Sequence, residues 1–215
     1  MTKEEIRNLN IFSTLSDEDF ELLFSISCVK KFNNGQIIYY ENDEIKEINF
    51  LLSGFIKIYK VDRFDNEVFL FTIKQAGLTS TFSFFEDNNY FANAECFYDS
   101  TILAINNEKL QNILKDNFNI FKFFSFELMK QIKTLQYVID KETVYDGTAK
   151  VAYMLVNSID EFNSLKKQEV AYMLNIQPET LSRILTKFKR ENLIETQSNG
   201  NVIVNNVTKL SNIFK

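Results

Sequence analysis

The chain contains a single proline, Pro178, and it stands inside residues 165–195, LKKQEVAYMLNIQPETLSRILTKFKRENLIE, a run whose composition is otherwise helical. Proline lacks a backbone N–H and clashes with the preceding turn, so a helix tolerates it mainly in its first turn. A helix therefore begins at Pro178, and what precedes it is a separate helix and a turn. In KKQEVAYML the apolar positions are Val170, Met173 and Leu174. NIQ makes the corner, because Asn175 is one of the few residues other than glycine that readily adopts a left-handed conformation. In PETLSRILTKFKREN, Leu181, Ile184, Leu185 and Phe188 fall on one face. Glu179, Thr180, Ser182, Arg183, Lys187 and Arg190 are left to solvent or a partner. The following LIETQSNGNVIV places Asn199-Gly200 between two β-rich runs, a hairpin signal. Helix, turn, helix and hairpin in that order predict a winged helix.

Those exposed side chains suit the reading of DNA. Arginine bonds guanine through two hydrogen bonds, a carboxylate accepts from cytosine N4, and hydroxyls meet thymine or phosphate. An isolated Glu179-x-x-x-Arg183 pair would be an ordinary surface ion pair; the turn, the apolar spacing and the wing around it turn the expectation towards base readout. Charge agrees. From Gly147 to the end there are nine Lys and Arg against six Asp and Glu, whereas residues 1–146 carry fifteen against twenty-three. The basic part of an acidic chain is the part with the DNA-reading pattern.

Upstream, EEIRNLNIFSTLSDEDFELLFSI reads as short helices, with Ser16 an N-cap before the acidic first turn of DEDFELLF. From Ser27 to Ile105 the pattern changes to β-rich runs, QIIYY, INFLL, FIKIYKV, EVFLFTI, NAECFY and TILAI. Turn signals NNG, SG, DRFDN and EDNN separate them, which suggests a barrel or sandwich. Helical periodicity returns near Asn107 and holds from about Asn119 to Lys141. There Phe121, Phe124, Leu128, Ile132, Leu135 and Ile139 form one apolar stripe, suited to a seam between two chains or to the chain's own β-domain. TVYDGT breaks this helix, with Gly147 expected to permit the bend. AKVAYMLVNSIDEF then reads as one helix, with Val151, Met154, Leu155 and Ile159 on one side.

Composition narrows the function. Histidine is absent, which removes the commonest metal ligand, general base and haem ligand. Two cysteines, Cys28 and Cys96, are too few for a four-thiolate iron–sulfur cluster and lack zinc spacing, so they are read as free thiols. No apolar run approaches the roughly 18 residues of a membrane span, and the charged start MTKEEIRNLN lacks the apolar segment of a signal peptide. The expectation is a cytoplasmic protein that is not an enzyme. The rival is a small-molecule-binding enzyme or storage protein with an incidental helix-turn-helix.

QEVAYMLNIQPETLSRILTKFKRENLI resembles the DNA-binding segment of Crp/Fnr-type bacterial transcription regulators, FLLSGFIKIYK resembles their β-roll, and YDGTAKVAYML resembles their junction to the DNA-binding domain. The resemblance implies an α+β fold. Residues 1–118 would form a cyclic-nucleotide-binding-like β-roll (jelly roll), 119–146 a long dimerisation helix and hinge, and 147–215 a winged helix-turn-helix. Glu179, Ser182 and Arg183 would read bases. Thr180, Lys167, Gln168, Ser198 and Asn199 would approach phosphates. A homodimer of this kind implies palindromic double-stranded DNA with half-sites about one helical turn apart. The E-x-x-S-R pattern is similar to that of regulators reading TTGA-like half-sites, and RNA polymerase is implied as a partner. IQPET resembles the branch of the family linked to nitric oxide and nitrosative stress.

The family's cyclic-AMP pocket uses a glutamate followed by an Arg-Ser pair. In QAGLTSTFSFFEDNNYFANAEC, Thr81 stands at the glutamate, Phe91 at the arginine and Ala92 at the serine. Losing the arginine removes the bidentate phosphate contact, so cyclic AMP is not expected. An effector pocket, if present, would involve Thr81, Phe82, Phe91 and Ala92, although the aromatic cluster around them reads first as core. The effector is left unassigned, an iron–sulfur cluster is excluded by cysteine number, and haem stays open without a histidine ligand.

Overall fold

Residues 1–79 and 89–214 are described by the structure, a computed structural model, apart from the side chains of Tyr137, Asp140, Lys141 and Glu142. They gather into two units, Met1–Leu135 and Gln136–Lys215. The first opens with helices α1 (Lys3–Arg7) and α2 (Asp17–Ser25). Ser16 caps α2 as the sequence predicts, its hydroxyl accepting from the Asp19 amide at 3.1 Å, which satisfies one of the amides a helix leaves orphaned at its start. Arg7 holds the connection between them, donating to the carbonyls of Phe12 and Leu15 at 2.9 and 3.0 Å.

The strands are β1 (Ser27–Phe32), β2 (Ile37–Tyr39), β3 (Glu47–Val61), β4 (Glu67–Ile73), β5 (Gly77–Leu78) and β6 (Asn93–Asn106). They form one sheet in the order β1-β6-β3-β4, with β2 also on β6 and β5 also on β3. Two sequence expectations fail here. INFLL and FIKIYKV are one strand, and so are NAECFY and TILAI. Ser53-Gly54 is no turn: β3 continues through Gly54 at φ +111°, and its register with β6 shifts on both sides of this point. A Cβ on Gly54 would stand 2.3 Å from Ser100 Oγ and 2.6 Å from the Asp99 carbonyl. The glycine is a bulge at which two strands close on each other. The other miss is β1, whose sequence SCVKKF puts only two strong strand formers among polar residues. It is ordered by pairing with β6, Ser27 opposite Ile105 through Phe32 opposite Ser100.

Inside the roll, Tyr39 and Tyr90 stack with ring centroids 3.7 Å apart. Their hydroxyls donate to the carbonyls of Thr79 at 2.7 Å and Glu47 at 2.6 Å, so each buried phenol is satisfied. Burial drives both phenols well above the ordinary tyrosine range.

Asn106 caps α3 (Asn107–Asp116), its side chain accepting from the Lys109 amide at 2.9 Å. Then comes α4 (Phe118–Thr143). Ile120, Phe123 and Phe124 are buried on one face of it, and an aromatic group formed by Phe12, Phe50, Phe123 and Phe124 lies at centroid distances of 5.4–6.1 Å. Phe124, expected in the seam with Phe121, is therefore core of its own unit, 1% exposed. The physical reason is the 3.6-residue turn, which sets position 124 about 60° around the helix from 121 and onto the buried face with Ile120 and Phe123.

In the second unit the backbone leaves helix after Thr143, and Asp146 caps α5 (Gly147–Asn157) by accepting from the Ala149 amide at 2.8 Å. Gly147 is not the bend: it is already helical and has no left-handed φ. AKVAYMLVNSIDEF is not one helix either, since Ser158 at φ −145° and ψ 43° divides α5 from α6 (Ile159–Ser164). After α7 (Lys167–Met173), α8 (Pro178–Arg190), β7 (Ile194–Thr196) and β8 (Val202–Val204), the unit ends with α9 (Val207–Ser211). Val151, Leu155, Val170, Leu181, Leu185, Phe188 and Leu210 are all at or below 4% exposure and make its core.

Candidate DNA-reading site

Helix α7, a corner and helix α8 make the expected helix-turn-helix. Asn175 takes the left-handed conformation at φ +51°, and the amide of Ile176 returns to the Ala171 carbonyl at 3.1 Å. Gln177 is extended and Pro178 is the first residue of α8, so the missing proline N–H falls where no acceptor exists for it. Leu181, Ile184, Leu185 and Phe188 are buried as the period predicts. Residues 176, 180 and 184 pack beside the start of α5: the Cβ position of Gly147 is 3.5 Å from Ile176, 3.6 Å from Ile184 and 3.8 Å from the Thr180 methyl.

Glu179, Thr180, Ser182 and Arg183 are exposed on the first turns of α8. None of these four side chains takes a hydrogen bond or an ion pair from a described residue. Glu179 and Arg183 share a face without bonding each other, so the surface ion pair that would explain them away does not form. Lys187, Lys189 and Arg190 follow, exposed in the last turn, where cations also complement the negative end of the helix dipole. Lys167 and Gln168 are exposed at the start of α7; that start is fixed by Glu169, whose carboxylate accepts from the Lys166 amide at 2.7 Å.

The wing is a hairpin, with Ile194 opposite Val204 and Thr196 opposite Val202. Its loop is one residue longer than the Asn-Gly signal suggests: Gln197 pairs with Asn201, N to O 2.8 Å, leaving Ser198, Asn199 and Gly200 at the tip with Gly200 at φ +88°. This is the three-residue loop in which a glycine supplies the left-handed step. Ser198 and Asn199 are exposed there. Asn163 on α6 holds the second wing strand by both ends of its amide, donating to the Val202 carbonyl at 3.0 Å and accepting from its N–H at 2.8 Å. Sequence reasoning missed this residue, and nothing in its neighbourhood marks it, because the partner lies 39 positions away.

Of the residues considered for an effector pocket, Thr81 and Phe82 lie outside the described residues. Phe91 is half-buried with the Lys60 ammonium 5.6 Å from its ring centroid, and Ala92 is wholly buried. Both cysteines are free. Cys96 is buried, and that burial raises its thiol above the ordinary range despite a hydrogen bond with Ser100. Among the described residues no cluster of three His, Cys, Asp or Glu could hold a metal ion, and no helix is long and apolar enough to cross a membrane.

Comparison with known proteins agrees in both units. Residues 29–117 match the cyclic nucleotide-binding domain family and residues 149–213 the Crp-like helix-turn-helix domain family. The chain is 24% identical over 207 residues to the anaerobic regulatory protein of Bacillus subtilis, covering 88% of this chain and 85% of that one. It is 25% identical over 185 residues to the HTH-type transcriptional regulator ArcR of Staphylococcus epidermidis, covering 80% and 81%. A CooA variant from Carboxydothermus hydrogenoformans superposes with a TM-score of 0.75 at 19% identity over the whole of both chains. A nucleotide-binding-like roll and a Crp-like helix-turn-helix, each with its own family match, on either side of a long helix, place the chain among the Crp/Fnr transcription regulators by fold and homology.

Proposed function

We propose that the chain acts as a cytoplasmic homodimer that binds a palindromic operator with TTGA-like half-sites. Residues 1–118 serve as the sensor, 119–146 as dimer helix and hinge, and 147–215 as the reader. Glu179, Ser182 and Arg183 read base edges, while Thr180, Lys167, Gln168, Ser198 and Asn199 set register on the phosphates. The observation that carries this is the group of exposed, unpartnered side chains on the first turns of α8. Holding polar side chains clear of hydrogen-bond partners among the described residues gains nothing for the fold, and it leaves their donors and acceptors ready for a duplex.

Dimerisation rests on the second face of α4. Phe118, Phe121, Ile132 and Ile139 are 74%, 40%, 40% and 59% exposed, and Leu128 and Leu135 are half-buried between them. Their spacing of three and four is that of a coiled-coil seam. Ser125 takes the place expected of Phe124. Contact with RNA polymerase would follow from operator position. Selection of bound sequences from random DNA, with sedimentation of the complex, tests the reading: recovery of an inverted repeat bound by two chains is expected, and a monomer indifferent to sequence contradicts it.

The reading extends to nitric oxide or nitrosative stress as the signal. What supports that is the likeness of Ile176-Gln177-Pro178-Glu179-Thr180 to the nitric-oxide-linked branch. Adding haem and nitric oxide should change absorbance or operator affinity; constancy of both removes direct haem-based sensing.

A further inference from the structure

The wing is a two-stranded sheet with strands of three residues, a size that is marginal on its own. Its base is tied back by the amides of Asn205 and Asn206, which both donate to the Leu193 carbonyl, at 2.8 and 3.2 Å. Nearer the tip the tie is Asn163. Alternate residues of a paired antiparallel strand turn their N–H and C=O away from the partner strand. Val202, next after the Asn201 carbonyl that accepts from Gln197, is such a residue, and its two backbone groups meet the Asn163 amide at 2.8 and 3.0 Å. A side-chain amide carries the donor and the acceptor of a peptide group, so at this one point Asn163 does what a third strand would do. Buried Phe162 and Leu165 on either side of it fix its own helix in the core.

The tip beyond Val202 has no charge to guide it. From Ile194 to Asn206 the only ionisable side chain is Glu195, so a phosphate would be met here by neutral donors. Asn199 Oδ1 accepts from the Asn201 amide at 2.9 Å, which leaves its Nδ2, a donor, as the unbonded end. The Ser198 hydroxyl takes no bond from a described residue. A cation attracts a phosphate from a distance, whereas a neutral donor contributes only when it stands within about 3 Å and is aligned. Such a wing depends on where its strand is held, and a single residue, Asn201, separates the held position from the tip.

We infer that Asn163 is a positioning residue for DNA binding: by fixing β8 at Val202 it sets the uncharged donors of Ser198 and Asn199 at the height of the duplex backbone. It touches no DNA itself. This rests on the operator reading above and adds to it a residue outside the helix-turn-helix.

Titration of the full chain against a selected operator and a scrambled duplex over a range of salt tests it. Asn163→Ala should lose about three- to tenfold in affinity, equally on both duplexes because phosphates carry no sequence. The slope of log affinity against log salt should stay at the wild-type value, since no cation is withdrawn. In a Ser198→Ala/Asn199→Ala background the same substitution should cost nothing further. Without DNA, amide hydrogen exchange in Asn163→Ala should quicken in the wing and stay as in wild type in α8. Wild-type affinity in Asn163→Ala, a loss that persists undiminished in the double-alanine background, or a lowered salt slope overturns the inference. Exchange that quickens throughout the second unit overturns it too, because the loss is then one of folding. A wild-type chain that binds neither duplex refutes the operator reading, and the inference with it, before any variant is made.

Discussion

The ring of Phe124 meets that of Phe50 edge-on, with centroids 5.6 Å apart and planes at 77°. One face of α4 therefore belongs to the roll, while Phe121 and Ile132, on another face, are each 40% exposed.

The two faces should respond differently to substitution. Phe124→Ala opens a cavity in the first unit and should cost about 3–5 kcal/mol in urea unfolding. Ile132→Glu puts a charge on the exposed stripe and should leave the fold near wild type while lowering the dimer fraction in sedimentation equilibrium. Loss of fold in Ile132→Glu, with the dimer intact in Phe124→Ala, would reverse the assignment of faces.

Gly54 and Gly35 both have positive φ, +111° and +78°, but only the first is crowded; a Cβ on Gly35 meets nothing within 4 Å. Gly35→Ala should cost about 1 kcal/mol, the backbone strain alone. Gly54→Ala adds overlap with the neighbouring strand and should cost about 2–4 kcal/mol. Equal unfolding midpoints for the two variants would show that β3 and β6 do not close at the bulge.

Asp19 is 7% exposed and anchors the start of α4. It accepts from Asn117 Nδ2 at 2.6 Å, Asn119 Nδ2 at 3.2 Å and Ser16 Oγ at 2.8 Å. The Asn117 bond, with those of Ser16 and Asn119, lowers its pKa against the opposing effect of burial. A carboxyl with a depressed folded pKa stabilises the fold above its unfolded value, about 3.9, and that contribution is lost as pH falls through the folded value. The gap in urea midpoint between wild type and Asp19→Asn should be widest at neutral pH and close in acid. A gap independent of pH would mean that shape, not charge, makes the anchor.

Much of this was legible in the sequence wherever the cause is local. Pro178, Asn175 and the apolar spacing of α8 fix the helix-turn-helix through backbone geometry and amphipathicity, and the Ser16 cap needs only its own turn. What escaped depends on distant partners. Ser53-Gly54 reads as a turn by composition, and only the approach of residues 99–100 makes it a bulge. Strand β1 is ordered by β6, some seventy residues on. Phe124 and Phe121 look alike in an apolar stripe, and the sheet decides which is buried. Asn163 gains its meaning from Val202, which is not near in sequence. For the residues proposed to read bases, the sequence supplied their positions, and the fold adds that Glu179, Ser182 and Arg183 take no side-chain bond from a described residue.

Titration of Arg183→Ala and the wild-type chain against a selected inverted-repeat operator and a scrambled duplex, at one salt concentration, tests the central claim most directly. The account predicts a loss of about 1–3 kcal/mol on the operator, with base preference relaxed at one position of each half-site and little change on scrambled DNA. Equal losses on both duplexes would contradict it and leave Arg183 a phosphate contact.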